Sequence, residues 1–188
     1  MPAARGRTNC RHKRYSGRGA LAEPEFRKAL TMNPHLAGVH LAIGRILQEE
    51  RGDLDGAERE FQAEVRLGPG DAEVEWRLGS VVLRKGQAKA ALTELQQSDK
   101  LKPDTLETLV DLGAAYWLEN QPEHAEKAYR RIIAIDDKDD LAATAHLRLS
   151  QICRKLGKPE EPEEHLKKFR DLNLSKAPYD AQSRNPGL

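Results

Sequence analysis

The side chains that could perform acid–base, nucleophilic or metal chemistry are scattered along this chain of 188 residues. No two of the six histidines stand at metal-ligand spacing with a carboxylate partner on the same helix face. Cys10 and His12 offer only two candidate ligands, and Cys153 falls on an apolar helical face, where a thiol packs as a small hydrophobic group. Sequence motifs of phosphate-binding loops, nucleophile elbows and dinucleotide sites are absent. The sequence therefore predicts no enzyme, no metal site and no cofactor.

A small residue recurs at a spacing of 34 to 37 positions, at Gly44, Gly79, Gly113 and Ser150. Around Gly113, apolar side chains follow at three- and four-residue steps, which is the spacing of one helical face. A second apolar stripe begins at Ala125 and includes Tyr129. Gly113 and Ala125 lack bulk where two antiparallel helices must touch, and Tyr129 fills the space beside them. The pattern predicts a stack of helix pairs.

The residues from 109 to 137 resemble the tetratricopeptide repeat, because Leu112-Gly113, Tyr116, Ala125 and Tyr129 follow the order of its consensus. The same order recurs in the neighbouring units, so the resemblance covers roughly residues 21–174. It implies an all-α fold, a right-handed α-solenoid of antiparallel helix pairs. Pro162 replaces the consensus alanine of the last unit. This predicts a shifted or shortened helix start there, because proline is best tolerated in the first helical turn.

The resemblance divides the chain into a solenoid and two flanking segments. Residues 1–19 form a predicted disordered basic arm, 20–174 the solenoid, and 175–188 a flexible tail. The solenoid is expected to contain a half unit at 21–36 and full units near 37–70, 71–104, 105–138 and 139–174. Helices are predicted near 21–33, 37–50, 53–67, 72–85, 88–101, 104–119, 122–135, 140–156 and 160–172.

Turn residues support these breaks. Gly52, Gly86 and Gly157 are expected to end helices in the left-handed conformation. Asn120 is expected to cap the helix that follows it, and Asp104 with Glu107 to form a capping pair.

Charge is distributed unevenly along the chain. The formal net charge is +1, which argues against nucleic-acid binding by the whole surface. Residues 1–20 carry six basic and no acidic side chains, so the remainder holds 25 basic and 30 acidic residues. Residues 5–18 are therefore the one segment expected to contact RNA, DNA or an anionic membrane, the alternative being a solvated tail. Two cysteines make no disulfide framework, and neither a signal peptide nor a transmembrane run is seen, so a cytoplasmic location is the default prediction.

A binding groove follows from the resemblance. In this family the first helices of successive pairs line a concave groove that binds extended peptides or helices. Carried over position by position, the resemblance implies these groove residues: Leu41, Arg45, Trp76, Arg77, Ser80, Arg84, Val110, Asp111, Ala114, Trp117, Leu147, Arg148, Gln151, Arg154 and Lys155.

Both tryptophans of the chain, Trp76 and Trp117, map to this surface, and tryptophan and arginine are enriched at binding hot spots. Basic residues on the surface outnumber Glu73, Glu107 and Asp111. The hypothesis is a partner segment with acidic and apolar or aromatic side chains. The alternative is that each tryptophan packs over a neighbouring helix and that the arginines form ion pairs on the helix surface.

The function predicted is protein–protein interaction, as a scaffold or adaptor that holds a peptide or helical segment in the groove. The alternative from another class is an RNA- or anionic-surface-binding protein that uses the basic arm. Self-association, through residues 21–30 or the last helix, is a third hypothesis.

Overall fold

A computed structural model of the chain describes residues 18–159 and 161–174. Almost all of the predicted arm and the whole predicted tail lie outside the described residues. The first helix begins at Arg18, two residues inside the segment that was expected to be an arm.

The described residues form nine helices and no strand. In chain order they are α1 Arg18–Met32, α2 Val39–Ile46 with a π-helical continuation at Leu47–Arg51, α3 Leu54–Leu67, α4 Ala72–Arg84, α5 Ala88–Leu101, α6 Leu106–Leu118, α7 Pro122–Ile135, α8 Asp140–Lys155 and α9 Glu161–Leu174. These bounds agree with the predicted helices, and Pro162 lies in the first turn of α9 as expected.

Aspartates start three of the helices. The Asp53 side chain accepts a hydrogen bond from the backbone N–H of Gly56, at 2.8 Å, where α3 begins. Asp71 and Asp139 do the same for the first turns of α4 and α8. Each carboxylate satisfies backbone donors that have no partner inside the helix, and its charge is favourable at the positive end of the helix dipole.

Residues in the left-handed backbone conformation end the first helix of each pair. Gly52, Gly86 and Gly157 have φ values of 68°, 81° and 70°, as predicted. Asn120 occupies the matching turn with φ 56°, so the prediction that it caps α7 is wrong. The residue at the cap of α7 is Gln121, whose side chain makes no cap bond. Asparagine adopts the left-handed conformation more readily than most other non-glycine residues, and the turn uses that property.

The predicted Asp104–Glu107 capping pair is also wrong. Thr105 occupies the cap position of α6 without a side-chain cap bond. Asp104 is left-handed, with φ 60°, and its carboxylate accepts hydrogen bonds from Arg131 on α7 instead. A long-range charged partner therefore competes successfully with the local cap.

Glycines allow the two helices of a pair to approach closely. A Cβ placed on Gly44 would lie 2.5 Å from the ring of Phe61, and one on Gly113 would lie 2.6 Å from the ring of Tyr129. On Gly79 it would lie 2.7 Å from Cγ of Leu95. Real Cβ atoms essentially never come this close. The prediction that small residues in phase permit close helix packing is confirmed for these three pairs.

Consecutive helices pack on one another from α1 to α9, and buried apolar residues form one continuous core along the stack. The first helices also touch each other directly, α4 with α6 and α6 with α8. The fold is an all-α helical repeat solenoid. Within the described ranges, none of the helices has the length and apolar character needed to cross a membrane.

Candidate functional site

The helices α2, α4, α6 and α8 carry all of the predicted groove residues, and their shared surface is called the first-helix face below. None of the fifteen residues is buried. Six are exposed, namely Arg45, Arg84, Arg148, Gln151, Arg154 and Lys155, and nine are half-buried, namely Leu41, Trp76, Arg77, Ser80, Val110, Asp111, Ala114, Trp117 and Leu147. The face is therefore accessible from α2 to α8, and its apolar members are half-buried together with Arg77 and Asp111.

Trp76 and Asp111 join the second unit to the third. The indole Nε1–H of Trp76 on α4 donates to Oδ2 of Asp111 on α6 at 2.9 Å. The Ser80 hydroxyl and Arg84 also lie close enough to this carboxylate to stabilise its charge. Burial raises the pKa of Asp111, while these donors and the positive charge act in the opposite direction. The cluster fixes the orientation of the indole and compensates the half-buried charge.

Arg77 is the predicted groove cation whose charge is most fully neutralised. Its guanidinium lies 5.0 Å from the centre of the Trp76 ring and donates to Glu73 at 2.8 Å and to Glu49 at 3.1 Å. Only 11% of its side chain is exposed. For Arg77 the structure matches the ion-pair alternative. Glu73 was visible in the sequence as a partner four residues away, but Glu49 comes from α2 and no local pattern identified it.

Trp117 and Lys155 join the third unit to the fourth. Nζ of Lys155 on α8 lies 4.8 Å from the centre of the Trp117 ring and donates to Oδ1 of Asn120 at 2.5 Å. Trp117 also packs against the core with part of its surface exposed. A cation over an indole is attracted to the ring face. The second tryptophan is therefore held by the adjacent first helix, as Trp76 is.

The remaining cations differ in how far they are paired. Arg154 extends to α9, where it pairs with Glu163 at 3.0 Å. Arg45 lies 3.9 Å from Glu49, a long contact, and Arg148 donates to the neutral amide of Gln151 at 3.2 Å. Arg84 is exposed beside Asp111. The excess positive charge predicted for this face thus rests mainly on Arg45, Arg84, Arg148 and Lys155, whose partners described above are neutral, distant or shared.

Two cavities of the described chain lie elsewhere. One, of about 730 Å³, is lined by Pro34, His35 and His40 together with residues of α3. The other, of about 450 Å³, lies between α7, α8 and α9. Neither is lined by any of the fifteen predicted residues.

Sequence profiles described as tetratricopeptide repeat match residues 11–72, 46–105 and 106–139, which is more than half of the chain. The chain belongs to the tetratricopeptide repeat family. The repeat spacing, the helix pairs and the glycine contacts described above are the features that this membership explains.

Solved structures of other tetratricopeptide repeat proteins share the fold. MamA superposes with a TM-score of 0.79 at 23% identity, over 87% of this chain and 93% of its own. MamA from Desulfovibrio magneticus RS-1 gives 0.78 at 22% identity, over 86% and 89%. YrrB, described as a tetratricopeptide repeat protein with an unusual peptide-binding site, gives 0.75 at 20% identity, over 85% and 80%. A search of curated protein sequences finds no significant match.

Proposed function

We propose that the chain is a scaffold or adaptor that binds a protein segment along the first-helix face. The observation that carries this proposal is the pair of tryptophans on neighbouring first helices, Trp76 fixed by Asp111 and Trp117 under Lys155. Both indoles keep part of their surface exposed. Side chains that are already fixed lose little conformational freedom when a ligand binds, so more of the contact energy appears as affinity. The fold shared with YrrB, which is described as having a peptide-binding site, supports a peptide ligand.

The charges on the face suggest the chemistry of the partner. Arg84 and Arg148 are exposed, and Arg45 has only a long contact with a carboxylate. Acidic side chains of a partner would find these cations, while its apolar or aromatic side chains would cover the indoles. The fifteen residues include no histidine to act as a base. The proposed role is therefore binding without catalysis.

A peptide library tests the proposal directly. Random peptides displayed on phage are selected on the intact chain, and the dissociation constants of the selected peptides are measured by fluorescence anisotropy. We expect acidic and aromatic residues to be enriched. Arg84→Glu with Arg148→Glu should weaken binding by about tenfold, because each reversed surface charge is worth up to about 1 kcal/mol. Lys89→Glu with Lys127→Glu, exposed on the second helices α5 and α7, is the matched control.

Selected peptides that bind equally well to both charge-reversed proteins would contradict the proposed surface. Selection of basic peptides would contradict the proposed partner chemistry.

The cytoplasmic location is still a prediction.

The basic-arm alternative can be tested separately. Residues 5–17 lie outside the described residues, and a chain lacking residues 1–17 keeps all of α1. If the arm binds RNA, the affinity for a single-stranded RNA oligonucleotide falls steeply as salt is raised, because phosphate contacts release counterions. Deletion of the arm then abolishes RNA binding and leaves peptide binding unchanged. Equal RNA binding by the deleted chain would contradict this role of the arm.

A further inference from the structure

Three side chains with metal-binding atoms meet where the last helix packs on α8. Cys153, near the end of α8, is completely buried. Glu161 is the first residue of α9, and His165 follows one turn later on the same face, since residues four apart are neighbours on a helix. One possible ligand atom from each residue lies within 4.8 Å of the other two.

The distances suit a small divalent cation. Sγ of Cys153 lies 3.6 Å from Oε2 of Glu161. In a tetrahedral zinc centre, Zn–S of about 2.3 Å and Zn–O of about 2.1 Å place sulfur and oxygen about 3.6 Å apart. The thiol and the carboxylate are therefore already at the separation that one shared ion requires. The imidazole needs to approach by about 1.4 Å at most, since its distance does not exceed 4.8 Å.

A second histidine orients His165. Nδ1 of His165 lies 2.9 Å from Nδ1 of the buried His146, and Nε2 of His146 lies 2.6 Å from Oδ1 of Asp137. An ionised carboxylate only accepts, so His146 donates from Nε2. With both imidazoles neutral, His146 then accepts at Nδ1 from His165, and the other nitrogen of His165 keeps its lone pair. Chains of carboxylate and hydrogen-bonded groups behind a ligand are typical of metal sites.

A cavity gives access to the site, and two cations, Arg130 and Lys158, lie beside it. The cavity of about 450 Å³ is lined by His146, Glu161 and His165, so solvent reaches two of the three ligands, Glu161 and His165, from outside. Arg130 donates to Glu161, but it also donates to Glu126 at 2.8 Å. The Glu161 atom that Arg130 bonds is Oε2, the oxygen that faces Cys153, so Arg130 must release it when the ion binds, and Glu126 remains as its charged partner. Lys158 is likewise paired with Glu126.

We propose that Cys153, Glu161 and His165 bind a divalent cation that prefers sulfur and nitrogen ligands, with Zn²⁺ the best match. Thiolate and imidazole ligands select zinc over magnesium or calcium, which prefer oxygen. The thiol proton of Cys153 passes to the solvent on binding. Three protein ligands leave a fourth position for water. The bound ion would link α8 to α9 and stabilise the last helix pair, because it binds only the folded arrangement.

Cobalt substitution tests the site. The intact chain is treated with a chelator, and Co²⁺ or Zn²⁺ is then added in increments. We expect a thiolate-to-cobalt absorption band in the near ultraviolet, saturating at one equivalent, and a higher melting temperature with Zn²⁺. Cys153→Ser should abolish the band and weaken zinc binding roughly 100-fold or more, since even loss of an outer hydrogen-bond partner costs 10- to 100-fold. Cys10→Ser removes the other thiol of the chain and is the matched control.

Three results would overturn the proposed metal site. Absence of the cobalt band in the unmodified chain overturns the proposal. A band that is lost in Cys10→Ser and kept in Cys153→Ser overturns it as well, because the thiolate ligand then lies elsewhere. If Cys153→Ser fails to fold by circular dichroism, Glu161→Gln serves instead, since Glu161 is only half-buried. It should keep the fold and bind zinc about tenfold more weakly, as expected for a disturbed ligand shell, and unchanged zinc affinity would overturn the proposal.

Discussion

The pH dependence of stability should be dominated near neutrality by one buried carboxyl group, Glu75. Only 5% of Glu75 is exposed, and its side chain on α4 hydrogen-bonds to Glu94 on α5. Burial raises its pKa from 4.5 to about 7, helped by the hydrogen bond to Glu94 and by repulsion from Glu94 and Asp71. Two carboxyl groups that share a proton cannot both be charged without cost.

The direction and size of the pH effect on stability follow from the difference in proton binding between the folded and the unfolded chain. Between pH 4.5 and about 7 the folded chain holds a proton that the unfolded chain has released. Stability therefore falls as pH rises through this window and levels off above it. A pKa of about 7 against 4.5 corresponds to about 3 kcal/mol, since each unit of pKa difference is worth about 1.4 kcal/mol.

Glu75→Gln tests this, because glutamine keeps the shape and can donate to Glu94 without a charge. Free energies of unfolding are measured by urea denaturation at pH 5 and pH 8 for the variant and the unmodified chain. We expect little difference at pH 5 and stabilisation of the variant by up to about 3 kcal/mol at pH 8. Glu107→Gln, an exposed carboxylate of α6, is the control and should show no such change. An equal effect of Glu75→Gln at both pH values would refute the reasoning.

Two further predictions concern packing and the first-helix face. Gly113→Ala gains about 1 kcal/mol of helix propensity but forces a Cβ onto the Tyr129 ring, an overpacking cost of about 1–3 kcal/mol. We expect a net loss of about 1 kcal/mol in urea denaturation, and a variant more stable than the unmodified chain would contradict the close-packing account. Trp76→Phe keeps a ring but removes the donor to Asp111. The free energy of unfolding of this variant should fall by about 1–2 kcal/mol without loss of the fold. An unfolded variant would favour the packing alternative for Trp76. An unchanged free energy of unfolding would show that the hydrogen bond to Asp111 contributes nothing to stability.

The features that the sequence predicted correctly are those encoded by local spacing. Gly44, Gly79 and Gly113 are in phase with the helix pairs, and each proved to lie against the bulky residue of its partner helix. Periodicity reports which residues share a helix face, and a repeat multiplies that signal through the chain. The fold could therefore be predicted almost to the helix bounds.

The features that the sequence did not predict depend on contacts between helices. Asn120 and Asp104 can either cap a helix or adopt a left-handed turn, and local sequence does not distinguish the two. The choice is made by partners on other helices, Lys155 for Asn120 and Arg131 for Asp104. An ion pair of Arg77 was among the alternatives, but its partner Glu49 of the preceding unit could not be read from local spacing.

The three candidate metal ligands illustrate the same limit. Glu161 and His165 are four residues apart, a spacing that was readable in the sequence. Their meeting with Cys153 depends on how α9 packs against α8. The set mixes a thiol, a carboxylate and an imidazole, so the spacing of histidines alone does not indicate it.

The central claim is that a partner segment lies across the two indoles of the first-helix face. Nuclear magnetic resonance spectra of the intact chain contain one indole N–H signal for each of its two tryptophans. Both signals should shift when a peptide selected from the displayed library is added, together with amides of α4, α6 and α8. Shifts confined to the second helices α5, α7 and α9, with both indole signals unmoved at saturation, would contradict the claim.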